Sequence, residues 1–297
     1  MRSIRDVLSQ DSASLRAALA LTANEARFEV QMLLQKTLGV ARAYLMAHPE
    51  QALSEIQQAA YEAMLQRRLQ GEPIAYIFGE REFFGLNLKV TPATLIPRPE
   101  TELLVELALQ RIPSPGLTAT LSPERERGET FRVLDLGTGS GAIAIAIAHS
   151  RPDAEVVAVD ASEAALQVAR ENAQRLGVAN LSFLQSEWFS ALDGQRYDLI
   201  VSNPPYVATG DVHLTQGDVR FEPVSALASG ADGLDDIRRI VVQAGDFLEP
   251  GAWLLLEHGY DQAAQVRDLM RQNGFGEVFS AKDIAGIDRV SGGATSR

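Results

Sequence analysis

Val133-Leu134-Asp135-Leu136-Gly137-Thr138-Gly139-Ser140-Gly141 joins an apolar strand pattern to a helical one through three glycines. Arg132–Leu136 reads as a buried strand and Gly141–Ser150 as the helix after it. Downstream the same alternation repeats. Strands are predicted at Glu155–Val159, Leu181–Leu184, Tyr197–Ser202 and Trp253–Glu257, with helices at Ser162–Leu176, Asp235–Phe247 and Gln262–Asn273. Glu277–Ser280 and Asp288–Ser291 are expected to close the sheet as an antiparallel pair. This order predicts an α/β, Rossmann-like domain: a mostly parallel seven-stranded sheet with helices on both faces.

Upstream the pattern differs. A chain of 297 residues is too long for one small core. Residues 1–75 read as a helical bundle, with helices at Glu25–Leu38 (N-cap Asn24, stop at Gly39) and Ser54–Gln70 (N-cap Ser54). Tyr76-Ile77-Phe78-Gly79 and Phe83–Val90 are rich in β-formers and glycine and read as a hairpin or extended connector. Pro92, Pro97 and Pro99 punctuate the chain before a helix resumes at Thr101–Leu109. The sequence thus divides into an N-terminal helical part (1–75), a hairpin connector (76–100) and the α/β domain (101–297). The Pro, Gly, Ser and charge content of Pro113–Thr130 reads as a mobile surface loop.

Composition narrows the chemistry. The absence of cysteine excludes disulfides, thiolate metal sites and a Cys nucleophile. Four scattered histidines give no metal-ligand spacing. The first residues lack the apolar core of a signal peptide, and Ala142–Ala148 is far too short to span a membrane, so a cytoplasmic protein is expected. A net charge of −12 argues against a large nucleic-acid footprint. The arginine pairs Arg67-Arg68 and Arg238-Arg239 are expected on solvated helix faces.

Two loops carry the ligand signals. Gly137, Gly139 and Ala142 also satisfy the dinucleotide fingerprint. Asp160 ends the next strand, where a carboxylate accepts from both ribose hydroxyls of an adenosine. Asp135, just before the glycines, would repel a pyrophosphate and suits a cationic ligand. Asn203-Pro204-Pro205-Tyr206 follows the fourth strand. Two prolines cannot continue a central strand, so the chain leaves the sheet there in a stiff loop. That loop carries a carboxamide at one end and a phenol at the other, suited to a planar amide or amino group. Hydride chemistry calls for no such loop; with Asp135 it favours S-adenosylmethionine over a nicotinamide cofactor.

DLGTGSG, Asp160 and SNPPY together resemble class I S-adenosylmethionine-dependent methyltransferases that modify planar nitrogen. GEPIAY at Gly71–Tyr76, Phe83-Phe84-Gly85, IPRPETE at Ile96–Glu102, Arg220–Pro223 and Leu256-Glu257-His258-Gly259 narrow the likeness to the peptide chain release factor N5-glutamine methyltransferases. The resemblance covers nearly the whole chain; Pro113–Thr130 looks expanded. It implies class I release factors as protein partners and the glutamine of their Gly-Gly-Gln motif as substrate. It implies cofactor contacts at Gly137, Thr138, Gly139, Ser140, Gly141, Asp160, Trp188 and Asn203. Trp188 would stack on adenine; its alternative is a core role. The Asn203 side-chain oxygen and the Pro204 carbonyl would each accept one N–H of the substrate amide, with Pro205 and Tyr206 walling it. Arg98, Glu100 and Thr101 face either the methionine end of the cofactor or the interdomain hairpin, and Glu222-Pro223 and Glu257-His258 shape loops. The rival readings are glutamine methylation of a ribosomal protein and adenine-N6 methylation of DNA or RNA.

Overall fold

The structure, a computed structural model, describes residues 1–113 and 130–296. The expected loop at Pro113–Thr130 lies almost wholly outside the described residues. The chain forms two compact units, one of Met1–Gly79 with Thr215–Phe221 and the other of Glu80–Leu214 with Glu222–Arg297.

The first unit is helical: α1 (Ile4–Leu19), α2 (Ala23–Leu38), α3 (Arg42–Ala47), α4 (Glu55–Leu69) and α5 (Ile74–Phe78). Its core joins Ile4, Val7, Leu15, Val30, Leu33, Leu34, Tyr61 and Leu65. Truncating one of these leucines to alanine typically costs about 2–5 kcal/mol, because the cavity does not fully collapse. Two sequence expectations are corrected here. Helix α2 is capped by Thr22, not Asn24: the Thr22 hydroxyl accepts from the Glu25 N–H and Glu25 reaches back to the Thr22 N–H, a reciprocal box that leaves Asn24 inside the first turn. Tyr76–Phe78 belong to helix α5, begun after Pro73 and stopped by left-handed Gly79, so the extended stretch starts later.

A third correction concerns Arg68, which is buried and not solvated. Its Nε and Nη2 grip Glu29 at 2.7 and 2.9 Å, and its Nη1 bonds Asp218 at 2.7 Å. The same nitrogen also donates to the Gly71 and Glu72 carbonyls. The charge is thereby paired and its donors used, the condition for burying a guanidinium. The bond to Asp218 ties Thr215–Phe221 into this unit.

The second unit opens with a hairpin, β1 (Glu80–Phe83) and β2 (Leu86–Lys89), followed by α6 (Glu102–Arg111). Then come β3 (Phe131–Leu136), α7 (Ala142–Ser150), β4 (Ala154–Asp160), α8 (Glu163–Leu176), β5 (Leu181–Gln185) and β6 (Tyr197–Ser202). The chain ends through α9 (Asp235–Ala244), β7 (Leu248–Glu257), α10 (Ala263–Gln272), β8 (Gly276–Lys282) and β9 (Asp288–Ala294). The seven strands lie in the order β5-β4-β3-β6-β7-β9-β8. The first five in this order are parallel neighbours, and β9 runs antiparallel between β7 and β8.

Alternation along the strands splits the core into two layers. Val133, Leu199, Val201 and Leu255 pack on one face with Leu104, Ile143 and Ile145. Leu134, Leu136, Ile200 and Leu254 pack on the other with Ile237, Ile240 and Val266. Helices cover both faces, which is why these strands read as continuous apolar runs. Strand β3 is followed by β4 on one side, while β6 joins on its other side. The order therefore reverses between β3 and β6, and the crevice at their carboxyl ends is where such sheets take ligands.

Candidate active site at the carboxyl edge of the sheet

The glycine loop leaves β3 held by backbone bonds on both sides. Gly137 and Thr138 both donate N–H groups to the Val159 carbonyl at 2.9 Å, and Gly141 donates to the Thr138 carbonyl. Gly141 has φ +84°, and a Cβ there would sit 2.8 Å from Ile145 Cδ1 and 3.1 Å from Ala169 Cβ. Only glycine lets the loop enter α7 while α8 packs this closely. Buried Asn172 of α8 adds a clamp, donating to the carbonyls of Ser140 and Lys89 at 2.9 Å.

Two carboxylates stand at this loop. Asp160 accepts the Gly139 N–H on one oxygen and the Ser162 N–H on the other, each at 2.8 Å. Burial raises its pKa and those N–H bonds oppose the rise. Asp135 is fully buried; the Thr138 hydroxyl donates to its Oδ2 at 2.7 Å, while Oδ1 has no hydrogen-bond partner. Burial pushes its pKa up to about 7 against the bond from Thr138. An unsatisfied buried carboxylate oxygen beside a phosphate would be repulsive; beside a cation it is favourable. The donor set therefore fits a ligand with positive charge and hydroxyl groups.

Trp188 follows β5 in the left-handed region, φ +53°. The Ser186 hydroxyl donates to its carbonyl at 2.8 Å. The half-buried indole lies against the glycine loop: a Cβ placed on Gly137 would sit 3.5 Å from its Cζ3.

Asn203-Pro204-Pro205-Tyr206 emerges from β6 beside that loop. Leu136 and Ser202 are register partners, and the Ser202 hydroxyl donates to the Leu136 carbonyl at 2.7 Å. Pro204 is buried; Asn203, Pro205 and Tyr206 are half-buried. Gln262 donates to the Tyr206 carbonyl at 3.0 Å, and Val207 exchanges backbone bonds with Leu227 and Ser229 at 2.9 Å. The corner is thus fixed at both ends. Its side chains face two partners from distant elements: Asn203 Nδ2 donates to Thr101 Oγ1 at 3.2 Å, and the Tyr206 hydroxyl donates to Glu257 Oε1 at 3.3 Å. Burial, then the neighbouring Glu257 charge, pushes the Tyr206 phenol up, so it stays a donor.

The structure therefore gathers Gly137–Gly141, Asp160, Trp188 and Asn203–Tyr206 at the carboxyl ends of β3, β4, β5 and β6. Arg98 is directed to the buried Glu222 carboxylate, which also accepts the Ile96 N–H at 2.9 Å. His258 is buried with its ring nitrogens on the Gly259 carbonyl and the Ser291 hydroxyl. Of the two residues that bond the corner, Thr101 was read in the sequence as facing either the methionine end of the cofactor or the interdomain hairpin, and Glu257 as loop-shaping. The available signal for Glu257 was a carboxylate closing the apolar run Trp253–Leu256 at a strand's carboxyl end.

A glycine loop after the first parallel strand, an acid after the second and Asn-Pro-Pro-Tyr after the fourth, on this strand order, define a class I methyltransferase. Residues 128–285 match the model of a methyltransferase domain, and residues 7–79 match that of the PrmC N-terminal domain. The chain is 49% identical over 267 residues to the release factor glutamine methyltransferase of Salmonella typhimurium, covering 90% of this chain and 91% of the relative. It is 51% identical over 268 residues to the protein of the same name from Bordetella pertussis, covering 90% and 94%. The chain belongs to the release factor glutamine methyltransferase family.

Solved structures agree on the fold. A methyltransferase from Pyrococcus furiosus superposes with a TM-score of 0.51 at 18% identity, covering 80% of this chain and 100% of that one. A T. thermophilus 16S rRNA methyltransferase in complex with AdoMet and guanosine gives a TM-score of 0.50 at 25% identity, covering 73% of this chain and 50% of that one. Among the described residues, no helix is long and apolar enough to cross a membrane.

Proposed function

We propose that this protein methylates the side-chain amide nitrogen of the glutamine in the Gly-Gly-Gln motif of class I peptide chain release factors, using S-adenosylmethionine. The observation that carries the reading is the Asn203–Tyr206 corner, hydrogen-bonded through Ser202 to the end of the strand that bears the glycine loop. Family membership supplies the substrate class.

Gly137–Gly141, Asp160 and Trp188 would hold the cofactor: Asp160 toward ribose hydroxyls, Trp188 toward adenine, Asp135 toward positive charge. When bound, S-adenosylmethionine supplies an electrophilic methyl group on a sulfonium. The rest is the work of this chain. An amide nitrogen is a poor nucleophile because its lone pair is delocalised into the carbonyl. Asn203 Oδ1 and the Pro204 carbonyl accept the two N–H groups of the substrate amide, which draws electron density onto nitrogen and fixes the amide plane. Tyr206 restricts rotation of that plane. Catalysis on this reading is positioning by a preorganised polar corner. The N-terminal unit, with a core of its own, docks the protein substrate; its removal raises KM for whole release factor and leaves KM for a short Gly-Gly-Gln peptide unchanged.

The test is methyl incorporation into release factor carrying Gly-Gly-Gln or Gly-Gly-Ala. Labelling confined to the first supports the reading. Equal labelling of both, or labelling of duplex DNA or a ribosomal protein in preference, overturns it.

A further inference from the structure

We propose that Asn172 is a positioning residue for the cofactor: its carboxamide holds the glycine loop in its binding shape and ties that loop to the β1–β2 hairpin. The inference rests on the reading that Gly137–Gly141 hold S-adenosylmethionine, and it names the side chain that keeps those residues in place.

Asn172 lies in α8 and is 0% exposed. Ala169, three residues earlier on the same helix, is one of the neighbours that leave no room for a Cβ at Gly141. The two share a helix face, so this side of α8 lies against the loop. The Asn172 carboxamide is fully used. Its Oδ1 accepts the Lys89 N–H at 2.7 Å and an N–H from Arg175 Nη2 at 3.3 Å. Its Nδ2 donates to the Lys89 and Ser140 carbonyls, each at 2.9 Å. A carboxamide has two donor hydrogens and two acceptor lone pairs, and here none is left over. Nor can it be turned end for end. That would set NH2 against the Lys89 N–H and oxygen against two carbonyls.

The bond to Ser140 acts on one peptide unit. The Ser140 carbonyl and the Gly141 N–H belong to the same planar group and point in opposite directions. Asn172 holds the carbonyl end, and the Thr138 carbonyl accepts the Gly141 N–H at 2.9 Å. The turn Thr138–Gly141 is therefore fixed from both sides. Glycines alone leave such a turn free to adopt many conformations.

The other arm of the clamp reaches Lys89, the last residue of β2. Both backbone groups of Lys89 are bound by the one side chain. Arg175 adds a bond to the Asn87 carbonyl, and Lys89 Nζ pairs with Glu171 at 2.6 Å. Strand β2 is thus fastened along α8, and Asn172 extends that fastening to the glycine loop. A ligand that orders the loop must then stabilise the bonds to Lys89, and those bonds must in turn favour the ligand.

The experiment uses the full-length protein, with Asn172→Asp, Asn172→Leu and, as a matched control, Asn180→Asp. Asn180 Nδ2 also donates to backbone carbonyls, those of Ala148, Arg151 and Ala154, but at the amino end of β4, away from the loop. Asn172→Asp keeps the acceptor for Lys89 and loses the donors to both carbonyls. All three variants should melt at lower temperature. Only the two at position 172 should weaken S-adenosylhomocysteine binding, roughly tenfold or more by isothermal titration. They should raise KM for S-adenosylmethionine alike, with kcat at saturating cofactor and KM for release factor within about threefold of wild type. The second readout needs no variant, and it decides the matter should those at position 172 fail to fold. S-adenosylhomocysteine should slow hydrogen exchange at the Lys89 amide of the wild type by about fivefold or more. The Gly85 amide, bonded to Glu82 at the other end of the hairpin, should change by less than about twofold. Unchanged cofactor affinity in both position-172 variants, equal weakening in Asn180→Asp, or a Lys89 amide indifferent to the ligand would overturn the proposal. A wild type that binds no S-adenosylhomocysteine would instead defeat the reading of the loop as a cofactor site, and this inference with it.

Discussion

Ser202 and Leu136 face each other across the β3–β6 ladder, and the Ser202 hydroxyl donates to the Leu136 carbonyl at 2.7 Å. Each residue is the last of its strand, and each is followed directly by a ligand loop, Gly137–Gly141 on one side and Asn203–Tyr206 on the other. On the proposed reading, this ladder and the buried hydrogen bond at its end hold the place for a methyl donor beside the place for its acceptor. Replacing Ser202 by alanine removes that bond at a cost of about 1 kcal/mol in stability. Chemical denaturation should show this modest loss, and steady-state kinetics should show a fall in kcat with cofactor affinity nearly unchanged.

Asp160 spends one oxygen on the Gly139 N–H and the other on the Ser162 N–H, and on our reading retains lone pairs for ribose hydroxyls. Asp160→Asn keeps the shape and removes the charge. Hydrogen bonds to a charged group are worth about 1.5–3 kcal/mol, so cofactor affinity should fall roughly 10- to 100-fold. Isothermal titration with S-adenosylhomocysteine measures it; a dissociation constant within threefold of wild type would count against a ribose role.

Gly233 supports the corner from below. It sits at φ +77°, and a Cβ there would lie 2.2 Å from the Tyr206 carbonyl oxygen and 2.8 Å from Gln262 Nε2. Gly233→Ala must move backbone and break the Gln262 bond to Tyr206 as well as strain its own φ, costing on the order of 2 kcal/mol. A lowered melting temperature together with loss of methyl transfer is expected. Gly245, whose added Cβ meets nothing within 4 Å, is the control position.

Burial raises the Glu257 pKa to about 7 from an ordinary 4.5, against bonds from Thr101 and Tyr206. Because the folded value is the higher one, the native state holds this proton more tightly than the unfolded chain does. The resulting stability is complete below the unfolded value and is lost as pH rises through about 7. Over that window the loss is on the order of 3 kcal/mol. Melting of the ligand-free protein should therefore show stability declining between acidic and neutral pH. Glu257→Gln should flatten the decline only in part, since Asp135 is raised to about 7 in the same way. An unaltered slope in that variant would show that Glu257 does not titrate in this window.

Much of the architecture was legible because it rests on local rules. The bounds of β6 follow from an apolar run ended by two prolines, and the Gly39 stop of α2 from the left-handed conformation only glycine adopts easily. The glycine loop, Asp160 and the Asn-Pro-Pro-Tyr corner were readable because each is a contiguous strand-end signal. The errors lie where a local preference met a competitor. Asn24 lost the cap to Thr22, whose partner Glu25 completes a reciprocal box. Arg68 reads as a surface charge until Glu29 and Asp218 are brought to it from 39 and 150 residues away.

The sequence by itself determined the alternation of strands and helices, the two loops at the strand ends and the chemistry those loops can carry. These are decided by hydrophobic period, proline and glycine, which act over a few residues. Only the tertiary structure decided that Asn203 meets Thr101 and that Tyr206 meets Glu257, because the partners come from separate elements and meet only when the sheet is ordered. The direction of a carboxamide depends on which neighbours can give a proton, and neighbours across a fold are not written in the order of the chain.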